Sequence, residues 1–287
     1  MKARFDNQVI SSLVLWINHY LCGVGEAFTN HGSYLYPTNQ TYGGYYTYSS
    51  PFSQFVADYS ISGANIPSGI YLNNTFVTPG QSGFVGYNYE KGSAYFSSPV
   101  PAGVKVSGNY AVKDFNVVLT NEPEEKIIFE KEIKLKQRFN QSVTGLLNDE
   151  LTYPVIFVKN VGRNNEPFAF GGHETSILNF SLYIFSDSRF KLDSCIGLLC
   201  DSARSLVPLF EQYEMPYDFY GKFNSGVPFN YNAVAAPKNA GSQTAYLSKA
   251  QQSRFSQSLF RESRQVNSEA FFDIVDLNLE KIRLPRQ

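Results

Sequence analysis

From residue 34 to residue 119 the chain runs in short stretches in which apolar and aromatic side chains alternate with polar ones, with glycine or asparagine between them. A period of two puts successive side chains on opposite faces, which suits strands and excludes helices over this region. Gly69-Ile-Tyr-Leu-Asn-Asn-Thr-Phe-Val77 reads as two strands turning at Asn73 and Asn74, since asparagine tolerates positive φ. Gly86-Tyr-Asn-Tyr-Glu-Lys-Gly92 leads into Ser93-Ala-Tyr-Phe96 as a second hairpin, and residues 104–110 and 112–119 continue the series. Twelve of the 20 tyrosines lie between residues 34 and 110, and eight of the 21 glycines between Gly63 and Gly108. Strands at this spacing predict a sandwich- or barrel-like β module over 34–136.

The flanking sequence has other periods. Ile10, Leu13, Val14, Ile17 and Leu21 form one stripe of an amphipathic helix, with Asp6 at its start and Gly23 and Gly25 past its end. That reading is preferred to a signal peptide, because Asp6 precedes the apolar stretch and Ser11 and Ser12 interrupt it. The expectation is a protein made in a reducing cytoplasm, with residues 1–33 as a helix packed on an α+β core. The charge-dense residues 121–136 place Phe129, Ile133 and Leu135 on the opposite parity to Glu130, Glu132, Lys134 and Lys136, as in a half-exposed edge strand.

An α+β domain is expected over 137–236. Residues 153–158 form an apolar run, 160–172 a polar loop, and 175–186 a long strand. The period then changes. Leu192, Cys195, Ile196, Leu199 and Ala203 follow helical spacing after a cap at Ser186-Asp-Ser188, and Pro208 lies just beyond. Residues 209–231 hold eight aromatics, too many to be solvated at rest. Residues 237–268 are polar enough to read as a flexible arm. Residues 269–287 restore alternation, with Val275, Leu277 and Leu279 against Asp276, Asn278 and Glu280. A strand on a long polar tether can rejoin its own sheet or a neighbour's. The fold class is therefore α+β: an N-terminal helix, an inserted β module, and a strand–helix–strand domain completed by a C-terminal strand.

Chemistry has little support. With 24 Lys and Arg against 25 Asp and Glu, the chain carries no general attraction for nucleic acid. Three cysteines and three histidines (His19, His31, His173) are too few and too scattered for a disulfide scaffold or a zinc finger. Cys195 reads as core, and Cys195 and Cys200 lie on different helical faces. No phosphate loop, hydrolase elbow or calcium loop is present, so the expectation is no enzyme, no cofactor and no metal. His173, after Gly172 and before Glu174, is the best-placed candidate for a hydrolytic site. Tyr42, Tyr45, Tyr46 and Tyr48, around Gly43 and Gly44, suit a protein interface or a sugar platform; without a lysine or arginine between Arg4 and Lys91, nucleic acid is not their partner.

Several segments together resemble a family of tailed-bacteriophage virion structural proteins: Gly69-Ile-Tyr-Leu-Asn73, Val106-Ser-Gly-Asn-Tyr-Ala-Val-Lys-Asp-Phe115, Glu124-Glu125 with Phe129 and Glu130, Tyr153-Pro154, Phe170-Gly-Gly172 and Phe185-Ser-Asp-Ser188. The likeness spans the chain from the first helix to the aromatic loop. The element order over 151–284 is similar to that of tail-terminator and head–tail connector subunits, a fold-level analogy. The resemblance implies a homo-oligomeric ring at the neck or tail end of a virion, contacting tail-tube, sheath or connector proteins and neither membrane nor specific nucleic acid. Its interface residues would be Phe210, Tyr213, Tyr217, Phe219 and Tyr220 of the aromatic loop and Phe271, Phe272, Val275, Leu277 and Leu279 of the last strand. The alternative is a fibre or baseplate host-recognition protein whose β module binds glycan.

Overall fold

A computed structural model describes residues 4–130, 153–168, 172–216, 229–240, 243–253 and 271–283. Helix α1 (Arg4–Gly23) opens the chain and is followed by a long bent strand, β1 (Phe28–Tyr42). The first half of β1 pairs with β7 (Val106–Lys113), from Phe28 opposite Lys113 to Leu35 opposite Val106. Its second half pairs with β2 (Tyr45–Ser49), from Tyr36 opposite Ser49 to Tyr42 opposite Tyr45. One strand is thus shared by two four-stranded layers. The first layer is completed by β3 (Ile70–Leu72) and β4 (Thr75–Val77), and the second by β5 (Phe84–Asn88) and β6 (Ser93–Phe96). The sandwich buries Leu35, Phe55, Ile70, Val77, Phe84, Phe96, Val106 and Tyr110 between its layers. The Asn73-Asn74 turn has positive φ at both residues, as its sequence predicts.

A second, six-stranded sheet has the order β11-β12-β13-β10-β9-β8. Strand β8 (Asn116–Thr120) pairs in parallel with β9 (Val155–Pro167), and β9 forms a long hairpin with β10 (Glu174–Ser186). Helix α2 (Arg189–Asp201), β11 (Leu206–Pro208), helix α3 (Tyr231–Ala240), β12 (Thr244–Ser253) and β13 (Phe271–Arg283) follow. Helix α2 buries Leu192, Cys195, Ile196 and Leu199, the predicted stripe. Helix α1 lies at the junction of the two sheets. Its Val9, Leu13, Trp16, Ile17 and Leu21 share one core with Val56, Ala111 and Phe115 of the β module and with Phe180, Leu182, Leu277 and Leu279 of the six-stranded sheet. The opposite face of that sheet has a smaller core around Phe157, Tyr183, Phe185 and Phe272, closed by Ile127 and Ile128. Among the described residues no helix is long and apolar enough to cross a membrane.

Five expectations are corrected. The β module begins at Phe28, inside the segment assigned to the helix and its exit, and it ends near residue 114, because β8 belongs to the other sheet. Residues 126–130 form a helical turn in place of an edge strand: Ile127 and Ile128 are adjacent and both buried, which no alternation allows. Residues 131–136 lie outside the described residues. The polar loop expected at 160–172 is, up to Pro167, the outer half of β9, whose exposed polar residues hydrogen-bond to β10. The flexible arm expected at 237–268 begins with the end of α3 and with β12, which needs only Ala245 and Leu247 buried because its other face is wet. Residues 254–268 lie outside the described residues.

The last strand rejoins its own sheet at the centre. Strand β13 pairs along its whole length with β10, from Phe271 opposite Ser186 to Arg283 opposite Glu174, and on its other side with β12.

Candidate interaction surface

Alternation in the first layer of the sandwich sends Leu35, Ile70 and Val106 inward and their neighbours outward. The outward row crosses four strands. Phe76 stands opposite Tyr71, Tyr71 opposite Ser107, and Ser107 opposite Tyr34. The Tyr71 and Phe76 ring centroids are 5.2 Å apart, and Lys105 Nζ lies 5.8 Å from the centroid of Tyr34. Tyr34 is 50% exposed, Phe76 47%, and Tyr36, two residues further along β1, 40%. Large rings held in register by backbone pairing and left half in water are the usual makings of an interface.

Beside this row a groove of about 350 Å³ opens between β1 and the 100–106 segment, lined by Tyr34, Tyr36, Pro37, Tyr48, Pro101 and Lys105 among others. The Tyr48 hydroxyl accepts the Val100 N–H at 3.1 Å and so fixes the far wall. The four tyrosines considered as one platform do not form one. Tyr42 and Tyr45 stack on Tyr95 at 6.0 and 6.2 Å, whereas Tyr48 is buried edge-on against Phe96 at 5.1 Å. Successive residues of β2 point to opposite faces, so the rings are divided between them.

Of the ten residues expected at an interface, Phe210 is 1% exposed and Phe272, Val275, Leu277 and Leu279 are 0% exposed. These five belong to the chain's own core and offer no docking surface, because β13 completes the sheet of its own subunit. Phe271 is partly buried against the same core. Among the described members of the set Tyr213 alone stands clear, 81% exposed. Tyr217, Phe219 and Tyr220 lie outside the described residues. The outward tyrosines of β1 and β3 were missed, although Tyr34 and Tyr36 on either side of Leu35, and Tyr71 between Ile70 and Leu72, place apolar side chains on both parities and so signal a second apolar face.

The densest polar cluster lies at the junction of α1, the β module and α3. His19 Nδ1 is 2.7 Å from Asp58 Oδ2, and the His19 ring stacks on Tyr231 at 4.0 Å. Asp58 Oδ1 accepts the Tyr231 N–H and the Ser60 N–H at 2.9 Å, and the Ser60 hydroxyl at 2.7 Å. Burial pushes the Asp58 carboxyl up, but the hydrogen bonds from His19, Tyr231 and Ser60 outweigh it and hold the group below its ordinary range. Residue types alone suggest a Ser–His–Asp triad. In a triad, however, serine and carboxylate engage opposite ring nitrogens. Here Ser60 Oγ approaches the same Nδ1, at 3.4 Å, and gives its proton to Asp58.

Close by, Lys113 Nζ donates to Asn18 Oδ1 at 2.7 Å, and burial holds this amine below its ordinary range. Burial likewise pushes the thiols of Cys22 and Cys195 up to about 12, so both are protonated core groups. The space lined by Asn18, His19, Cys22, Asp58, Lys113 and Tyr231 is about 30 Å³, room for one water. The cluster ties three elements together. His173 is exposed, and its carbonyl accepts the Phe168 N–H in the turn between β9 and β10.

No protein-family model, curated protein or solved structure matches this chain.

Proposed function

We propose that this chain is a structural subunit of a tailed-phage virion, in a ring at the neck or tail end, working by contacts with copies of itself and with neighbouring virion proteins. The observation that carries the reading is the outward aromatic row Phe76–Tyr71–Tyr34 with Tyr36, exposed on a rigid layer of the sandwich. Two further features support it. The sheet of the second unit is completed by its own last strand, so that sheet takes no strand from a neighbour at this position. Of the six sequence segments that resemble virion structural proteins, four fall on β3, β7, the start of β9 and the β10–α2 junction and a fifth at the Lys126–Glu130 turn, while Phe170 and Gly171 of the sixth lie outside the described residues. The tail-terminator-like assignment of residues 151–284 belongs to the same proposal.

Two measurements test it. Mass spectrometry of purified virions of the source phage should detect the chain, and negative-stain micrographs of the purified protein should show closed symmetric particles. A chain missing from virions, or one that remains a single subunit at every concentration, overturns the proposal.

A further inference from the structure

Resting on that assembly reading, we infer that Tyr213 of one copy seats in the Tyr34–Tyr36–Lys105 groove of the next, as a repeating head-to-tail contact.

Tyr213 lies on a one-turn 3-10 helix (Gln212–Glu214), and its ring is 81% exposed. The turn beneath it is firmly held. The Glu211 N–H donates to Glu214 Oε2 at 2.7 Å, and Gln8 Nε2 donates to Glu211 Oε1 at 3.1 Å. Lys238, itself buried, binds Glu214 Oε1 at 2.7 Å. A large ring left in water on a rigid base gives up little entropy when it docks, which is the property of an interface anchor.

The groove fits that anchor in three ways. Its volume of about 350 Å³ accommodates a phenol ring. Its walls are tyrosine, proline and valine, which pack well on aromatic faces. Its charge is complementary: Lys105 is the one ionisable lysine or carboxylate side chain among the lining residues, whereas Tyr213 lies two residues from Glu211, whose carboxylate accepts from the neutral Gln8 amide while Glu214 is neutralised by Lys238. Anchor and groove are different surfaces, on the α+β unit and on the sandwich. A contact between them leaves one of each unused on every pair, so it propagates, into a ring where the rotation from copy to copy closes and into a filament where it does not.

The test uses the full chain. Self-association is followed by sedimentation velocity for the unaltered protein and for Tyr213→Ala, Tyr213→Phe and Lys105→Glu. A photo-crosslinking phenylalanine analogue at position 213 then identifies the contact in a mixture of light and isotope-labelled copies. Tyr213→Ala and Lys105→Glu should each weaken association by ~30-fold or more, the loss typical of a truncated interface anchor. Tyr213→Phe should stay within a few-fold, and mixed-isotope crosslinks should map to residues 34–37 or 100–106. If the oligomer is unchanged by both weakening variants and the crosslinks fall elsewhere, this pairing is wrong while the assembly reading stands. If the unaltered chain never self-associates, both fall. Binding of an oligosaccharide that is lost in Tyr34→Ala, with no effect of Tyr213→Ala on assembly, gives the groove to sugar and also overturns the pairing.

Discussion

Leu277→Ala tests whether β13 belongs to its own subunit. Leu277 is fully buried, with Phe180 of β10 on one side and Ala250 of β12 on the other. Three adjacent strands hold the backbone, so the site has little freedom to collapse after truncation. The loss should therefore lie in the upper part of the usual range, ~3–4 kcal/mol, combining the transfer cost of the missing carbons with that of the cavity. For a chain of this length that corresponds to a fall in melting temperature of ~6–12 °C. Circular dichroism melts and urea titrations at protein concentrations about a hundredfold apart would measure it. A strand supplied within the chain gives the same loss at both concentrations; a strand supplied by a neighbour gives a loss that changes with concentration. A loss of less than ~1 kcal/mol, or one that appears only in the assembled protein, refutes the placement of β13. The same logic predicts that removing residues 271–283 leaves no folded subunit. Phe272, Val275, Leu277 and Leu279 are each 0% exposed. At ~1.5–3 kcal/mol each they contribute ~6–12 kcal/mol, as much as a whole domain's stability of ~5–15 kcal/mol.

Three further predictions concern glycine and the buried polar cluster. Gly92 has φ +64°, and a Cβ there would sit 1.9 Å from the Phe52 carbonyl oxygen, so Gly92→Ala should cost at least ~2 kcal/mol in a denaturant titration. Gly80→Ala, with φ +92° but no atom within 4 Å, should cost only the ~1 kcal/mol of backbone strain. Asp58 is held below its ordinary value of about 3.8, so its contribution is fully present above that pH and is lost as the pH falls through the lower folded value. Asp58→Asn should lower stability at neutral pH and flatten the acid limb of a stability-against-pH curve, whereas an unchanged acid limb would refute the role of the His19 and Tyr231 bonds. The Lys113 amine is depressed by burial below 10.5, so protonating it in the folded state is unfavourable, and that cost shrinks as the pH rises. Lys113→Met should be no less stable at pH 7 and should lack the rise in stability that the unaltered protein shows toward pH 10, checked by denaturant titrations across that range.

The residues themselves show how far local information reaches. Helices α1 and α2 were legible because each carries a full 3.6-period stripe, and the β3–β4 and β5–β6 hairpins because Asn73, Asn74 and Gly92 mark their turns. The outer half of β9 and all of β12 were not. Both are mostly polar, and only their hydrogen-bonding neighbours, β10 and β13, make strands of them. Five of the ten expected interface residues, Phe210, Phe272, Val275, Leu277 and Leu279, turned out to be core for a related reason. Hydrophobicity and alternation identify a side chain that must be buried but not what buries it, and for Phe272, Val275, Leu277 and Leu279 the burying surface is the chain's own core.

What the amino-acid order determined alone was periodicity and turn chemistry, since both act between residues a few positions apart. It therefore settled the α+β class, two of the three α-helices among the described residues and most of the sandwich strands. Long-range pairing decided the rest: β1 serving two layers, β8 leaving the sandwich for the other sheet, and β13 entering the centre of its own. Those choices depend on which apolar faces meet across hundreds of residues. The aromatic row, the groove and the exposed Tyr213 are among the surfaces that remain uncovered once those faces have met.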